Sequence, residues 1–367
     1  MRHLTLIGVF KDIGSADVGI PLMQTARERG HKTVVIAEGL AAGMFEREGF
    51  TLFFKGSENF KTEPFPFDMT AALETLQRNE KNPVVITGTS FPVNLEREAT
   101  RAAHELGLPL AVIEDFWTGS KRVIESGAVP DLILTPDDYA AICLRKELGK
   151  DVRIATVGMQ AADLETLFGG NNAAENAIDR LKTRYGTTIF VATGGETNTD
   201  DELRLFVACL RRTKTDAVII PGLHPKIAHL VSAAHSNRTY GEEWLRILET
   251  SGFPVAQCDA PSEHLAGLAD VSAGGFSTLL VTAASAGRRV FAINTPATRE
   301  RLEAQSYVHR FPLVDLGAAH EITEPMDLAP FFKETPRSDF LKRLPPPYSP
   351  NAALNAIEEL ASLPHSI

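Results

Sequence analysis

Residues 269–287 read ADVSAGGFSTLLVTAASAG. A clipped strand at Val271 and Ser272 runs into Gly274 and Gly275, then into the hydroxyls of Ser277 and Thr278, then into a small-residue apolar stretch closed by Gly287. That is the order strand, tight turn, helix N-cap, helix, C-cap glycine. The glycines permit close backbone approach, and the first turn of the helix that follows carries no acidic residue. Such a helix start offers N–H groups and the positive end of a dipole to an anion. The bare alternative is a corner in the chain.

The same order recurs on both sides of this stretch. Apolar runs of strand length lie at His3–Phe10, Thr33–Ala37, Pro83–Thr87, Leu110–Ile113, Leu132–Thr135, Thr188–Ala192, Ala217–Pro221 and Val290–Ile293. Between them stand segments of helical period such as PLMQTARERG and EREATRAAHELG, ended by Gly30 and Gly107. Strands that are apolar on both faces, joined by helices, define a parallel sheet in an α/β fold. The rhythm breaks once, where VGMQAADLETLF gives way to GGNNAAENA. The reading is two Rossmann-like domains with parallel sheets facing an interdomain cleft: 1–165, a linker at 166–187, and 188–345. After RLPPPYSP, residues 346–367 carry a helix at Asn351–Ser362, started by Ser349 and Pro350 and expected to pack back on the first domain.

Composition sets the outer bounds. The 367 residues, 44% hydrophobic, suffice for two cores. A formal charge of −10 argues against nucleic acid and anionic membranes as partners, no apolar run reaches the length of a membrane span, and the start lacks the regions of a signal peptide. The cytoplasm is the expected location. Cys143, Cys209 and Cys258 are too scattered for a disulfide framework or a metal cluster and are expected as buried thiols.

In an open α/β sheet, ligands meet the loops at the carboxyl ends of the strands. After the first strand, Gly14 and Gly19 flank Ser15 and Asp17, a place for an anion or a sugar hydroxyl, or a tight turn with Asp17 near the cap. Thr87, Gly88, Thr89 and Ser90 follow another strand, and Glu114, Asp115 and Trp117 follow the next. A carboxylate beside a bulky aromatic gains a raised pKa and serves as general base; alternatively Asp115 caps a turn and Trp117 fills the interdomain wall. Glu96, Arg97 and Glu98 read as a solvated helix face. In the second half, Gly194 and Gly195 precede a helix with Thr199 or Asp200 as its N-cap and Asp201 and Glu202 in its first turn. These acids repel a phosphate, so any binding there falls to the glycine backbone. His224, Pro225 and Lys226 follow the next strand, suited to a diphosphate or a base carbonyl, or to a structural histidine.

Taken in order, GIPLMQTARERGHKTVVIAEG, GTS, GLPLAVIEDFW, VGMQAADLE, GLHPK and ADVSAGGFSTLLVTAASAGRRVFAI resemble the GT-B superfamily of nucleotide-sugar glycosyltransferases and its relatives, the UDP-N-acetylglucosamine 2-epimerases. The resemblance spans nearly the whole chain and implies a nucleotide-sugar donor, UDP-linked, with no further cofactor and no metal. It assigns the donor to Gly194, Gly195, His224, Lys226, Gly274, Gly275, Ser277, Thr278 and Arg299. Where many members carry a Glu that grips ribose or sugar, this chain has Val281 and Thr282. For glycosyl transfer Asp115 is the base, with Asp17 second. An epimerase or hydrolase would use Glu114, with Thr298-Arg299-Glu300-Arg301 echoing the epimerase segment and Thr89 standing where epimerases have Asp. A third expectation is a binding protein without turnover. The acceptor is unspecified, FFKGSENFKTEPFPFDMT is a candidate border for its pocket, and the reading leaves room for a homodimer.

Overall fold

The computed structural model describes residues 3–56, 67–89, 95–117, 127–148, 152–168, 172–192, 199–223, 230–231, 237–305, 308–333 and 340–363. The chain divides into two compact units. The first comprises Met1–Gln160 with Gln305–Tyr307 and Pro345–Ile367, the second Ala161–Ala304 with Val308–Leu344.

In the first unit the elements alternate as β1 (Thr5–Phe10), α1 (Ile13–Glu28), β2 (Lys32–Glu38), α2 (Gly39–Arg47), β3 (Leu52–Gly56), α3 (Met69–Asn79), β4 (Pro83–Thr87), α4 (Leu95–Glu105), β5 (Leu110–Ile113), β6 (Leu132–Thr135), α5 (Asp138–Leu148) and β7 (Arg153–Thr156). They form one sheet ordered β3-β2-β1-β4-β5-β6-β7, parallel at every pairing. Strands β1, β4, β5 and β6 are buried almost throughout because both faces are covered. One face packs Leu6, Phe10, Ile86 and Ile113 against Leu22, Met23 and Phe45; the other packs Ile7, Val9, Val85 and Val112 against Leu73, Leu76, Ala99 and Ala103. Order reverses between β1 and β4, so the chain leaves their carboxyl ends in opposite directions and opens a crevice there.

The second unit runs α6 (Leu164–Phe168), α7 (Asn172–Tyr185), β8 (Thr187–Ala192), α8 (Thr199–Thr213), β9 (Ala217–Gly222), α9 (Tyr240–Glu249), α10 (Ser262–Leu268), β10 (Val271–Gly274), α11 (Thr278–Ser285), β11 (Arg289–Ile293), α12 (Pro296–Gln305), α13 (Pro312–Asp315), β12 (His320–Ile322) and α14 (Ala329–Lys333). Its sheet is ordered β12-β11-β10-β8-β9, again all parallel, with the reversal between β8 and β10. Ile189, Val191, Val271, Ala273 and Phe291 pack against Leu203, Phe206, Leu210 and Trp244. The stretch 166–187, read from sequence as a linker, is largely helical and carries α7.

The last helix, α15 (Pro350–Ser362), belongs to the first unit: Ala353, Leu354, Ile357 and Leu360 are buried in its core beside α1. Ser349 caps it, accepting from the Ala352 N–H at 3.2 Å, and Pro350 takes the first position, where a missing N–H costs nothing. Arg29 at the end of α1 donates to Asn355 and Glu358, and the buried His31 meets Glu358 at 2.8 Å. The Leu4 N–H donates to His31 Nδ1 at 3.2 Å, which makes Nε2 the protonated nitrogen and the donor to Glu358.

Of the cysteines, Cys209 is buried, whereas Cys143 and Cys258 are half-buried, against the expectation that all three lie in cores; all are free thiols.

Candidate functional site

The glycine pair of the opening stretch sits at the reversal point of the second sheet. Gly274 ends β10, and a Cβ there would overlap the carbonyl oxygen of Ala192, the last residue of β8. Gly275 has a different reason: a Cβ on it would overlap the carboxylate of Glu202. Ser277 is the N-cap of α11, in extended conformation, its Oγ accepting from the Leu279 N–H at 3.4 Å. Thr278 stands exposed at the first helical position. Val281 and Thr282 are buried, and the Thr282 hydroxyl donates to the Ala161 carbonyl at 2.9 Å. The helix face where the resemblance places a sugar-gripping Glu is thus spent on packing within the unit.

The acidic start of α8 is as read: the helix begins at Thr199, and Asp200, Asp201 and Glu202 occupy its first turn. Burial adds what sequence did not give: Asp200 and Glu202 are buried, and Glu202 passes beneath the β10–α11 loop. It accepts a hydrogen bond from the Thr298 hydroxyl at 2.7 Å and one from the Gly275 N–H, and Arg301 Nη2 lies 3.9 Å away. Burial pushes the Glu202 carboxyl above its ordinary range, with Arg301 and the two hydrogen bonds pulling the other way. One N–H of the expected anion loop is therefore already committed to a carboxyl group. Thr295 and Thr298 share a hydroxyl–hydroxyl bond of 2.9 Å at the start of α12.

Arg299 is exposed; Arg301 is the guanidinium that turns toward Glu202, with a side chain 12% exposed. Two residues along a helix are about 200° apart, so only one of the pair can face the glycines. Gly194 and Gly195, and likewise His224 and Lys226, lie outside the described residues.

The first unit presents a second cluster at its own reversal point. Helix α1 begins at Ile13, so Ser15 and Asp17 lie inside it rather than in a preceding turn, and the N-cap is Asp12, whose side chain makes no capping bond. Asp17 is half-buried. Ser15 is buried and donates to the Asp12 carbonyl at 3.0 Å. Asp115 reaches toward this helix start: Thr89 Oγ1 donates to its Oδ1 at 3.4 Å, and a Cβ on Gly14 would overlap its other oxygen. Glu114, on the opposite side of the extended backbone, is 1% exposed and is among the charges that raise the Cys143 thiol, behind burial and opposed by Lys146. Asp115 and Thr89 thus meet beside Gly14 at the carboxyl ends of β1, β4 and β5, whereas Asp17 lies one turn further along α1.

Two further carboxylates there escape a reading by sequence. Glu96, expected on a solvated face, is buried, and the Lys11 N–H donates to its Oε1 at 3.1 Å; a Cβ on Gly88 would crowd both it and Ser15. Glu38, the last residue of β2, is buried and pairs with Lys11 Nζ at 3.0 Å. The signal for Lys11 and Glu38 was present: Lys11 is the first residue after β1, and Glu38 is the charged residue that closes the apolar run of β2. Trp117 is fully buried and donates to Asp137 at 3.0 Å, and Asp137, its carboxyl raised by burial, caps α5 at the Ala140 N–H. Among the described residues no group of three or more His, Cys, Asp or Glu side chains is arranged to hold a metal, and no helix is long and apolar enough to cross a membrane.

Solved structures place this fold. The chain superposes on Staphylococcus aureus MnaA in complex with UDP with a TM-score of 0.68 at 14% identity, over 97% of this chain and 95% of that one. UDP-GlcNAc 2-epimerase from Neisseria meningitidis, bound to UDP-GlcNAc, gives 0.66 at 12% identity, covering 98% and 100%. A glycosyltransferase from Rickettsia africae gives 0.62 at 12%, covering 99% and 100%. No protein-family profile and no curated protein matches the sequence. The architecture is that of the GT-B glycosyltransferases and the UDP-GlcNAc 2-epimerase-like proteins, two Rossmann-like α/β domains in one chain.

Proposed function

We propose that the protein is an enzyme acting on a nucleotide diphosphate sugar, and that it transfers the sugar to an acceptor hydroxyl. The observation that carries this reading is the β10–α11 loop: an acid-free helix start, capped by Ser277, at the reversal point of a sheet, in a fold shared with proteins solved with UDP and UDP-GlcNAc. The diphosphate is received at the start of α11, by the loop N–H groups with Ser277 and Thr278, and Arg301 adds positive charge from behind. Lys226 and His224 complete the donor contacts.

Asp115 is the general base. Its place against Gly14 and Thr89 at the crevice of the first sheet suits a group that takes a proton from a bound hydroxyl. As that proton moves to Asp115, the acceptor oxygen attacks the anomeric carbon. The bond from that carbon to the diphosphate oxygen breaks, and its electron pair leaves with UDP. Neither a metal nor a further cofactor enters this reading, since cationic side chains and N–H donors balance the leaving charge.

A panel of nucleotide sugars tests it. Transfer releases UDP only when an acceptor is present; Asp115→Asn lowers that rate by about 10²–10⁴-fold, the usual span for a lost general base. Full activity in Asp115→Asn removes Asp115 from this role. UDP at about 100 times its Kd stabilises the folded chain by about 2.7 kcal/mol, and an unchanged melting temperature removes the donor assignment. A second reading, 2-epimerisation, draws on the buried Glu114 at the end of β5 and on the likeness to an epimerase solved with UDP-GlcNAc. It requires a new epimer to form without any acceptor.

A further inference from the structure

Glu202 is a buried carboxyl group that the proposed chemistry does not consume, and its position is peculiar. It comes from α8, yet its two oxygens lie where a side chain on Gly275 would have to go. It meets three groups from two separate parts of the unit at once: the Gly275 N–H in the β10–α11 loop, and on α12 the Thr298 hydroxyl at 2.7 Å and the Arg301 guanidinium at 3.9 Å. The residue is 2% exposed, so it acts on a ligand through these groups rather than by touching it.

We propose that Glu202 is the positioning residue of the donor site, holding Gly275 and the start of α12 in one frame so that the loop meets a nucleoside diphosphate already shaped. This rests on the reading that the β10–α11 loop receives the donor diphosphate. The Gly275 N–H donates to the carboxyl, a tie two residues before the Ser277 cap. Thr298 ties the same carboxyl to α12, which carries Arg301 toward the loop. Gly275 is glycine because the carboxyl fills the place of its side chain, a demand separate from any ligand.

The arrangement has an electrostatic consequence. From α12 the carboxyl faces Arg301 and the Thr298 hydroxyl, from the loop the Gly275 N–H, and Asp201 adjoins it on its own helix. Burial holds it above the ordinary carboxylate range, so it loses its proton at higher pH than a surface Glu. Once ionised it adds negative charge directly behind an anion site. Replacing it with Gln removes that charge and retains a carbonyl acceptor for Gly275 and Thr298.

The test uses the full chain, UDP as probe, and hydrogen exchange of the 270–285 segment without ligand. Glu202→Ala is expected to speed exchange in that segment and to weaken UDP by about ten-fold or more, the size of one lost hydrogen bond to a charged group. Glu202→Gln is expected to restore the exchange pattern. The ratio of wild-type Kd to Glu202→Gln Kd is expected to rise with pH as the buried carboxyl loses its proton, because the Gln side chain has none to lose. Using the ratio cancels the titration of UDP itself. If wild type binds UDP while Glu202→Ala leaves exchange unchanged and affinity within about two-fold, the positioning role is wrong. The role is equally wrong if Gln fails to rescue what Ala loses. If wild type does not bind UDP, the donor reading falls, and exchange in Glu202→Ala still decides whether Glu202 sets the loop.

Discussion

At the scale of single residues, Gly275 and Arg301 show how much depends on which neighbour is present. Gly275→Ala places a methyl against the Glu202 carboxylate, an overpacking expected to cost about 1–3 kcal/mol, read as a lower midpoint in urea unfolding, together with weaker UDP binding. Arg301→Ala is expected to weaken UDP several-fold and Arg299→Ala to weaken it less, since Arg301 is the guanidinium set against the Glu202 carboxyl beneath the loop; calorimetric titration of both variants checks the contrast. The Ser277 cap was readable in sequence because it depends only on residues that follow it within one turn. Glu202 and Arg301 were not, because their roles depend on which faces of α8 and α12 meet β10, and a local pattern of charges does not carry that. The same holds for Glu96, whose charge suggests solvent while its position beneath Lys11 makes it the acceptor for a loop N–H.

Among the elements, the strands at the centres of both sheets were legible nearly to the residue: Pro83–Thr87, Leu110–Ile113 and Leu132–Thr135 coincide with β4, β5 and β6. The strands that escaped reading, β3, β7 and β12, are all edge strands. An edge strand is covered less completely, so it lacks the unbroken apolar run that marks a central one; β7 reads Arg-Ile-Ala-Thr and is exposed at both ends. Where elements meet, single polar ties matter. Asp270 joins the amino ends of β8 and β10: Thr188 donates to it through its N–H at 2.9 Å and its hydroxyl at 2.8 Å, and Lys182 pairs with it at 3.0 Å. Burial pushes this carboxyl up, but those partners outweigh burial and hold it below its ordinary value. A depressed folded-state pKa gives stability that is present above the unfolded value and lost as pH falls through the folded one. Asp270→Asn is therefore expected to destabilise the chain at neutral pH and to matter less and less below about pH 4, seen as converging unfolding midpoints. Ser349→Ala, which removes the cap of α15, is expected to cost about 1 kcal/mol in the same assay.

For the molecule as a whole, the first unit is closed by the far end of the chain. Tyr348, Ala353, Leu354, Ile357 and Leu360 complete a buried core otherwise built from residues 4–157, and Arg29 and His31 fasten the same helix. Truncation after Leu344 is expected to speed hydrogen exchange throughout α1 and β2 while leaving α11 and β10 as protected as before, although the cut adjoins the second unit in sequence. The prolines of RLPPPYSP and the helix behind them were readable as elements. Their place in the first unit follows from the apolar face of α1, which the helices α2–α5 leave for α15 to cover.

The return of α15 also bears on how the protein is made. A ribosome delivers the amino-terminal sheet first, at roughly 5–20 residues per second, but not the helix that finishes its core. By the time residues 350–362 emerge, the whole of the second unit has already been released. The portion synthesised later thus has all it needs to fold earlier, and the portion synthesised first waits with the seat of α15 uncovered. During that interval the side of α1 that α15 comes to cover is the surface a nascent-chain chaperone would meet.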